Sequence, residues 1–129
     1  MEQVDIVNII LDYIPTIDFT KNNAAAPNPV STSLFETNIR YIGGLLGAYD
    51  LLKGPFAHLV SENEKVDALL AQTKTLADTL KFAFNTTTGV PVNTVYIGNQ
   101  SFAENNKLAD GTYSAGLAEL GTLVLEVRC

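Results

Sequence analysis

The stretch VSTSLFETNIRYIGGLLGAYD, residues 30–50, decides the expected fold because a helix start signal precedes a long apolar stripe. Ser33 is a candidate N-cap, and Glu36 follows three residues later, as in a capping box. Several glycines in the same segment would let a neighbouring backbone approach closely. We therefore predict a helix from about Leu34 to Leu52 that is packed on several sides. Its apolar stripe consists of Phe35, Ile39, Ile42, Leu46 and Tyr49.

Three further segments carry apolar residues at the three- and four-residue steps of an amphipathic helix. The first covers residues 4–14 and is stopped by the proline that follows, which cannot continue a helix. The next runs from about Asn63 to Phe84. The last begins near residues 112–114 and is still periodic at Cys129. In the helix predicted over residues 63–84, the side chains expected to face away from the core are Asp67, Gln72, Lys74 and Asp78.

These helices imply an all-α fold, and the segments between them are predicted to be loops. Residues 16–32 and 85–110 are rich in Asn, Thr, Pro and Gly, the residues that favour turns. The second loop, between the third and fourth helices, is long for a compact domain, and such loops are usually functional. Within it, Val90–Val92 and Val95–Ile97 are candidate short extended pieces. Because the last helix shows no stop signal, we predict that residues 1–129 form a single but incomplete domain.

Charge and composition exclude several classes of function. The formal net charge is −6 and the 8 Lys and Arg residues are scattered, so no basic stripe for nucleic acid is expected. A single cysteine rules out a disulfide within the chain, and a single histidine rules out a two-histidine metal site. No apolar run approaches the ~18 residues of a membrane span. Sequons at Asn85 and Asn99 are candidate glycosylation sites and hint at a secretory protein.

Residues 30–50 resemble the signature of glycoside hydrolase family 47, the class I α-1,2-mannosidases. That family has a Phe-Glu-(Ser/Thr)-Thr-Ile-Arg core, matched here by residues 35–40, followed by Leu-Gly-Gly-Leu-Leu-Ser-x-Tyr, matched by residues 42–49. The departures are Asn38 in place of Thr and Gly47 in place of Ser. The chain is similar to filamentous-fungal members over much of its length, including residues 6–19, 76–91 and 116–126.

The resemblance implies a seven-fold α/α barrel, of which this chain would supply about four helices. Enzymes of the family remove terminal α-1,2-linked mannose from N-glycans with inversion and with a bound calcium ion. A high-mannose N-glycan is therefore the implied substrate. Calcium is the implied cofactor of a complete family enzyme, held by residues outside this chain. The implied location is the secretory pathway, either in the lumen of the ER or Golgi, anchored to their membranes, or secreted.

The resemblance also assigns roles to three residues. Glu36 matches the family's catalytic acid, Arg40 matches an arginine that contacts sugar and holds carboxylates in place, and Glu119 matches a glutamate lining the glycan pocket. Inverting hydrolysis requires two carboxyl groups about 6.5–9.5 Å apart, one on each side of the sugar. Since the family's further acids lie outside this chain, we expect the isolated chain to be inactive.

Each assignment has a structural alternative. Glu36 is also the third-position carboxylate of a capping box, and Arg40 lies four residues along the helix, where a solvated ion pair with Glu36 is expected. Glu119 is also a first-turn carboxylate that favours the helix dipole. A functional alternative is a non-catalytic helical module that binds glycoproteins or other proteins. The aromatic residues of the helix are expected in the core rather than as sugar platforms: Phe35, Tyr41 and Tyr49.

Two segments depart from the fungal pattern. Residues 24–29 are an unusually long insert for these relatives. Residues 125–129 read Leu-Glu-Val-Arg-Cys where fungal members have Leu-Glu-Trp-Thr-Arg-Leu. Because the codons for Val-Arg are compatible with a splice donor, our hypothesis is that residues 127–129 are translated intron.

Overall fold

The computed structural model describes residues 3–22, 30–103 and 107–127, with side chains described as far as residue 123. The predicted insert at 24–29 and the last two residues of the intron hypothesis lie outside the described residues. The α-helices are α1 (Val4–Tyr13), α2 (Leu34–Thr37), α3 (Gly43–Lys53), α4 (Asn63–Leu80) and α5 (Leu117–Val127). A π-helical turn, Asn38–Ile42, joins α2 to α3. Short 3-10 turns cover Ile14–Thr16, Ala57–Leu59, Lys81–Phe84 and Ile97–Asn99, and the strands are β1 (Thr32–Ser33), β2 (Thr94–Tyr96) and β3 (Ser101–Phe102).

The predicted helical character of the chain is confirmed. Residues 34–53, which we call the signature helix, are helical throughout, close to the predicted 34–52. The helix ends at Lys53 and Gly54 follows it. A side chain at position 54 would place its Cβ atom 2.9 Å from the carbonyl oxygen of Asp50. The α4 helix with its following 3-10 turn also spans the predicted 63–84.

The start of the last helix was predicted wrongly. Helix α5 begins at Leu117 and not near residues 112–114. The Asp110 carboxylate accepts hydrogen bonds from both the backbone N–H and the hydroxyl of Thr112, and Tyr113 forms a β-bridge with Lys107. These side-chain and bridge contacts hold residues 110–113 in a turn, which competes with helix formation.

Two strands of the long loop between the third and fourth predicted helices pair with β1, which precedes the signature helix, in a small sheet that periodicity alone did not predict. The strand order is β1-β2-β3 and both pairs are antiparallel. The register places Ser33 opposite Thr94 and Val95 opposite Phe102. The extended piece predicted at Val95–Ile97 therefore lies mostly in β2, whereas residues 90–92 are not in a strand.

The core is built around α4, which packs against α3 and also contacts α1 and the signature helix's π turn. The C-terminal half of the buried face of α4 contributes to a cluster made of Leu34, Ile42, Leu76, Leu80, Ala83, Val95 and Leu123. The N-terminal half of the same face contributes to a second cluster made of Leu11, Leu45, Val66 and Leu69. Helix α4 is thus the element shared by both halves of the core.

Two side chains do not lie where the helical pattern placed them. Gln72 was expected to face solvent, but its amide Nε2 donates to the carbonyl oxygens of Ile14 and Ile17, each at 2.9 Å. It thereby ties the end of α1 to α4. Tyr41 was expected in the core, but 53% of it is exposed and its ring meets the Phe19 ring edge-on at 6.1 Å. Tyr41 thus lies on the outer side of the signature helix.

An apolar groove of about 920 Å³ runs between the signature helix and α4. Its floor is the first core cluster, and Lys74, Asp78 and Lys81 lie on its α4 side. The apolar residues that line it are Leu34, Ile42, Leu46, Leu70, Ala71, Ala77, Leu80, Phe84 and Leu123.

We expect Leu80→Ala to lower the free energy of unfolding by about 2–5 kcal/mol, because truncating a leucine that is only 2% exposed loses burial and leaves a cavity. The matched control is Leu70→Ala in the same helix. Leu70 is 45% exposed, so its truncation should change stability by no more than about 0.5 kcal/mol. Urea unfolding of the three proteins measures the difference; equal losses for both variants would contradict this core.

Candidate active site

The first turn of the signature helix is capped as the sequence predicted. Ser33 has extended backbone angles, φ −80° and ψ 120°, and its Oγ accepts a hydrogen bond from the Glu36 N–H at 3.2 Å. This contact satisfies one of the donors that a helix start leaves free. The backbone N–H of Glu36 is therefore bound by the Ser33 hydroxyl, whereas its carboxylate contacts a different residue.

That partner is Arg40. The Arg40 Nε donates to Glu36 Oε2 in an ion pair between residues four apart on the signature helix. The two side chains are 47% (Glu36) and 69% (Arg40) exposed. The pairing that was the structural alternative for Arg40 is thus present, and contact of Arg40 with sugar stays a prediction. An exposed carboxylate beside a guanidinium fork is also an arrangement that can bind sugar hydroxyls.

Arg40 projects from the π turn in the middle of the signature helix. The N–H of Gly43 bonds to the carbonyl of Asn38, five residues back, instead of the usual four. Asn38 itself is buried and lines the apolar groove. Single π turns inside α-helices occur frequently at functional sites. Here the turn separates the half of the helix that carries Glu36 from the half that packs in the second core cluster.

Glu119 has the structural role that was its alternative, together with a contact that the sequence did not predict. Its Oε2 accepts from the N–H of Gly116, the residue before α5, at 3.3 Å. A Cβ at position 116 would meet this carboxylate at 2.9 Å, so glycine leaves room for it. Its Oε1 accepts from the Asn93 side-chain Nδ2 at 3.2 Å. A role in lining a glycan pocket is not tested by these contacts.

Asn93 is the residue that sequence reasoning missed. Its side-chain Oδ1 accepts from the N–H of Phe35 at 2.9 Å and from the Ser33 hydroxyl at 3.3 Å. Through Asn93, the start of the signature helix and the Glu119 carboxylate become neighbours in one hydrogen-bond network. In the sequence Asn93 was one of several asparagines in a predicted loop, and no local pattern singled it out.

The carboxyl groups with clearly shifted pKa values lie on other elements. A hydrogen bond from the Thr20 hydroxyl, with help from Lys21, lowers the pKa of Asp18 to about 2. Lys74 lowers the pKa of Asp78, and the hydroxyl of Thr112 lowers that of Asp110. Each of these contacts joins residues of the same turn or of the same helix.

The described side chains form no metal site of the usual kind. Across residues 3–22, 30–103 and 107–123, no three or more His, Cys, Asp or Glu side chains come together. In the same part of the chain, no helix has both the length and the apolarity needed to cross a bilayer. The sequon residues Asn85 and Asn99 are both exposed, and Asn99 Oδ1 accepts from the Ser101 hydroxyl at 2.7 Å.

The fold is that of part of an α-1,2-mannosidase. The structure is similar to α-1,2-mannosidase from Trichoderma reesei, with a TM-score of 0.75 and 46% identity over 95% of this chain and 24% of that one. The sequence matches Glycosyl hydrolase family 47 over residues 1–129. The chain belongs to this family.

Curated fungal relatives agree with that membership. The chain is 51% identical over 126 residues to a mannosyl-oligosaccharide alpha-1,2-mannosidase of Coccidioides posadasii, and 49% identical over 129 residues to mannosyl-oligosaccharide alpha-1,2-mannosidase 1B of Aspergillus phoenicis. In both alignments 98% of this chain is covered but only 22% of the relative. The chain therefore spans about a fifth of the length of these relatives.

Arg40→Ala should change the free energy of unfolding by less than about 0.5 kcal/mol, because exposed ion pairs four residues apart on a helix contribute little. Thermal or urea unfolding measures this, with Lys74→Ala as the control because Lys74 forms an equally spaced, exposed pair with Asp78. A loss above about 1 kcal/mol for Arg40→Ala alone would show that the arginine is a structural anchor, contrary to this expectation.

Proposed function

We propose that this chain is the segment of a mannosyl-oligosaccharide α-1,2-mannosidase that carries its general acid, and that the enzyme removes terminal α-1,2-linked mannose from high-mannose N-glycans with inversion. The observation that carries the proposal is the exposed Glu36 carboxylate, paired with Arg40 in the family's signature helix. The names of the fungal relatives support the substrate class. The acid is on the surface of the described chain, where a substrate can reach it.

In the proposed mechanism, Glu36 gives a proton to the glycosidic oxygen as the bond to the leaving sugar breaks. A second carboxylate takes a proton from the attacking water on the opposite face of the ring. In the proposed complex, Arg40, which lies beside Glu36, contacts substrate hydroxyls or another carboxylate. Its planar fork suits either partner.

Calcium, the cofactor implied by the family resemblance, is assigned to no described residue of this chain. Among the described residues, three or more carboxylates do not converge as a cation site. Because the chain spans about a fifth of its relatives' length, we expect it to release no mannose on its own.

The proposed location is the secretory pathway. N-glycans are built and trimmed there, and the exposed Asn85 and Asn99 sequons are compatible with that compartment. The location is tested by expressing the complete reading frame in a fungal host. Glycosidase-sensitive mass on the product would support it, and a product that stays in the cytosol without glycan would contradict it.

The test of catalysis is a chimera in which this chain replaces the homologous segment of the Trichoderma reesei enzyme. We expect the chimera to release mannose from an α-1,2-linked mannobiose and from a high-mannose glycan. Glu36→Gln in the chimera should lower kcat by about 10²–10⁴-fold, because the glutamine amide cannot deliver a proton. Mannose release is followed by reducing-sugar assay and the anomer formed by proton NMR.

The matched control is Glu64→Gln, the same change at an exposed glutamate in the first turn of α4. It should leave kcat and KM at the values of the parent chimera. An active chimera that keeps its activity after Glu36→Gln would refute the role of Glu36. A folded chimera that binds the glycan without cleaving it would favour the alternative of a non-catalytic binding module.

A further inference from the structure

We infer that Asn93 is a positioning residue for the sugar-cleaving site: it fixes the helix turn that carries Glu36 and orients the carboxylate of Glu119 with one side chain. This inference rests on the proposed function, since it concerns how the acid and the pocket glutamate are held. The side-chain amide lies between the first turn of the signature helix and the first turn of α5.

The contact with the signature helix has three hydrogen bonds. The Asn93 carbonyl accepts from the Leu34 N–H at 2.7 Å, and Asn93 Oδ1 accepts from the Phe35 N–H at 2.9 Å. The Ser33 hydroxyl donates to the same Oδ1 at 3.3 Å while it accepts from the Glu36 N–H. Successive donors of the first turn are thus satisfied by Asn93 directly or through Ser33. Asn93 therefore contacts the backbone of the turn that carries Glu36 at two successive residues.

The other side of the amide faces Glu119. Asn93 Nδ2 donates to Glu119 Oε1, while Glu119 Oε2 accepts from the Gly116 N–H. Both carboxylate oxygens are therefore bound, which fixes the plane of the carboxylate. The amide has a single favourable orientation, because rotating it by half a turn would point its NH₂ group at the Phe35 N–H and its oxygen at a carboxylate. No other side chain of this size offers a neutral acceptor and a neutral donor on opposite sides.

The backbone of Asn93 is itself well anchored. Its neighbour Val92 and the nearby Val95 are fully buried. The Val92 N–H bonds to the Ala83 carbonyl at 3.0 Å, and the register of β1 with β2 brings Asn93 opposite Leu34. A shift of register by one residue would turn Val95 out of the core, so the register is strongly specified. The sheet, although small, fixes where the amide lies.

The consequence for catalysis follows from geometry. A misplacement of a reacting group by about 1 Å can cost about 100-fold in rate. Asn93→Ala leaves the Phe35 N–H and Glu119 Oε1 without their partner. The first turn of the signature helix keeps its Leu34 backbone bond and its Ser33 cap, and Glu119 keeps its bond from Gly116, so both are held less tightly than in the parent. We expect kcat to fall by about 10- to 100-fold, with a smaller change in KM.

Asn93→Asp separates a positioning role from general destabilisation. The aspartate keeps the acceptor for Phe35 but loses the donor to Glu119 and places a second negative charge beside it. Like charges raise the pKa of a carboxyl group, so the variant regains a donor when it is protonated at low pH. Its kcat, relative to the parent chimera, should therefore rise as the pH falls towards about 5, a change that a merely less stable protein would not show.

The experiment uses the full-length chimera described above, with Asn93→Ala, Asn93→Asp and the control Asn63→Ala, an exposed asparagine at the start of α4. Activity against mannobiose gives kcat, KM and the pH profile. Hydrogen–deuterium exchange by mass spectrometry follows the peptide covering residues 33–37 and, as a reference, a peptide within α4. We expect at least tenfold faster exchange in residues 33–37 for Asn93→Ala and unchanged exchange in α4 and in the control.

The outcomes separate the two proposals. If the parent chimera is inactive, the proposed function fails, and the exchange data still decide whether Asn93 holds the helix start. If the parent is active and Asn93→Ala keeps its kcat, the positioning inference is overturned. The inference is also overturned if exchange rises equally in α4, since the loss would then be global, or if Asn93→Asp has the pH profile of the parent.

Discussion

The packing of α4 between two buried clusters is the interaction on which the rest of the structure depends. Leu76 and Leu80 face the first cluster, and Val66 and Leu69 face the second. The signature helix contributes to both clusters, through Ile42 in its π turn and Leu45 after the turn. Because α4 packs against the signature helix in both clusters, it sets the orientation of the signature helix along its whole length. The acid in its first turn is therefore carried on a rigid element.

Much of the fold could be predicted because it follows from patterns within short stretches of sequence. The stripe of apolar residues in the signature helix and the Ser33 cap gave its bounds to within a residue. The π turn was not predicted, because the apolar spacing of residues 34–52 is that of an uninterrupted α-helix. Of the sheet, only the extended piece at Val95–Ile97 was predicted, because strands of two or three residues are too short to show an alternating pattern. Tyr41 was misplaced although it is the residue next to Ile42, and successive residues of a helix point about 100° apart.

Some residues of the candidate site could likewise be predicted from the sequence, and one could not. Glu36, Arg40 and Glu119 were found because they match motifs, and the structure shows the local contacts that such residues make in any helix start. Asn93 could not be found, because its partners are 58 residues before it and 26 residues after it in the chain. Its position is specified by strand register and by the burial of the valines around it. Contacts between segments that are distant in the chain cannot be read from local sequence patterns, because they form only when the fold brings those segments together.

The π turn also constrains how the gene can change. The hydrogen bond of the π turn spans five residues instead of four, so the turn holds about one residue more than the α-helical turn it replaces. Removing one residue from Asn38–Ile42 would therefore leave an ordinary α-helix, with Leu45 still in the interior and the acid still in the first turn. Inserting a further residue there would instead rotate the rest of the helix by about 100° relative to the first turn.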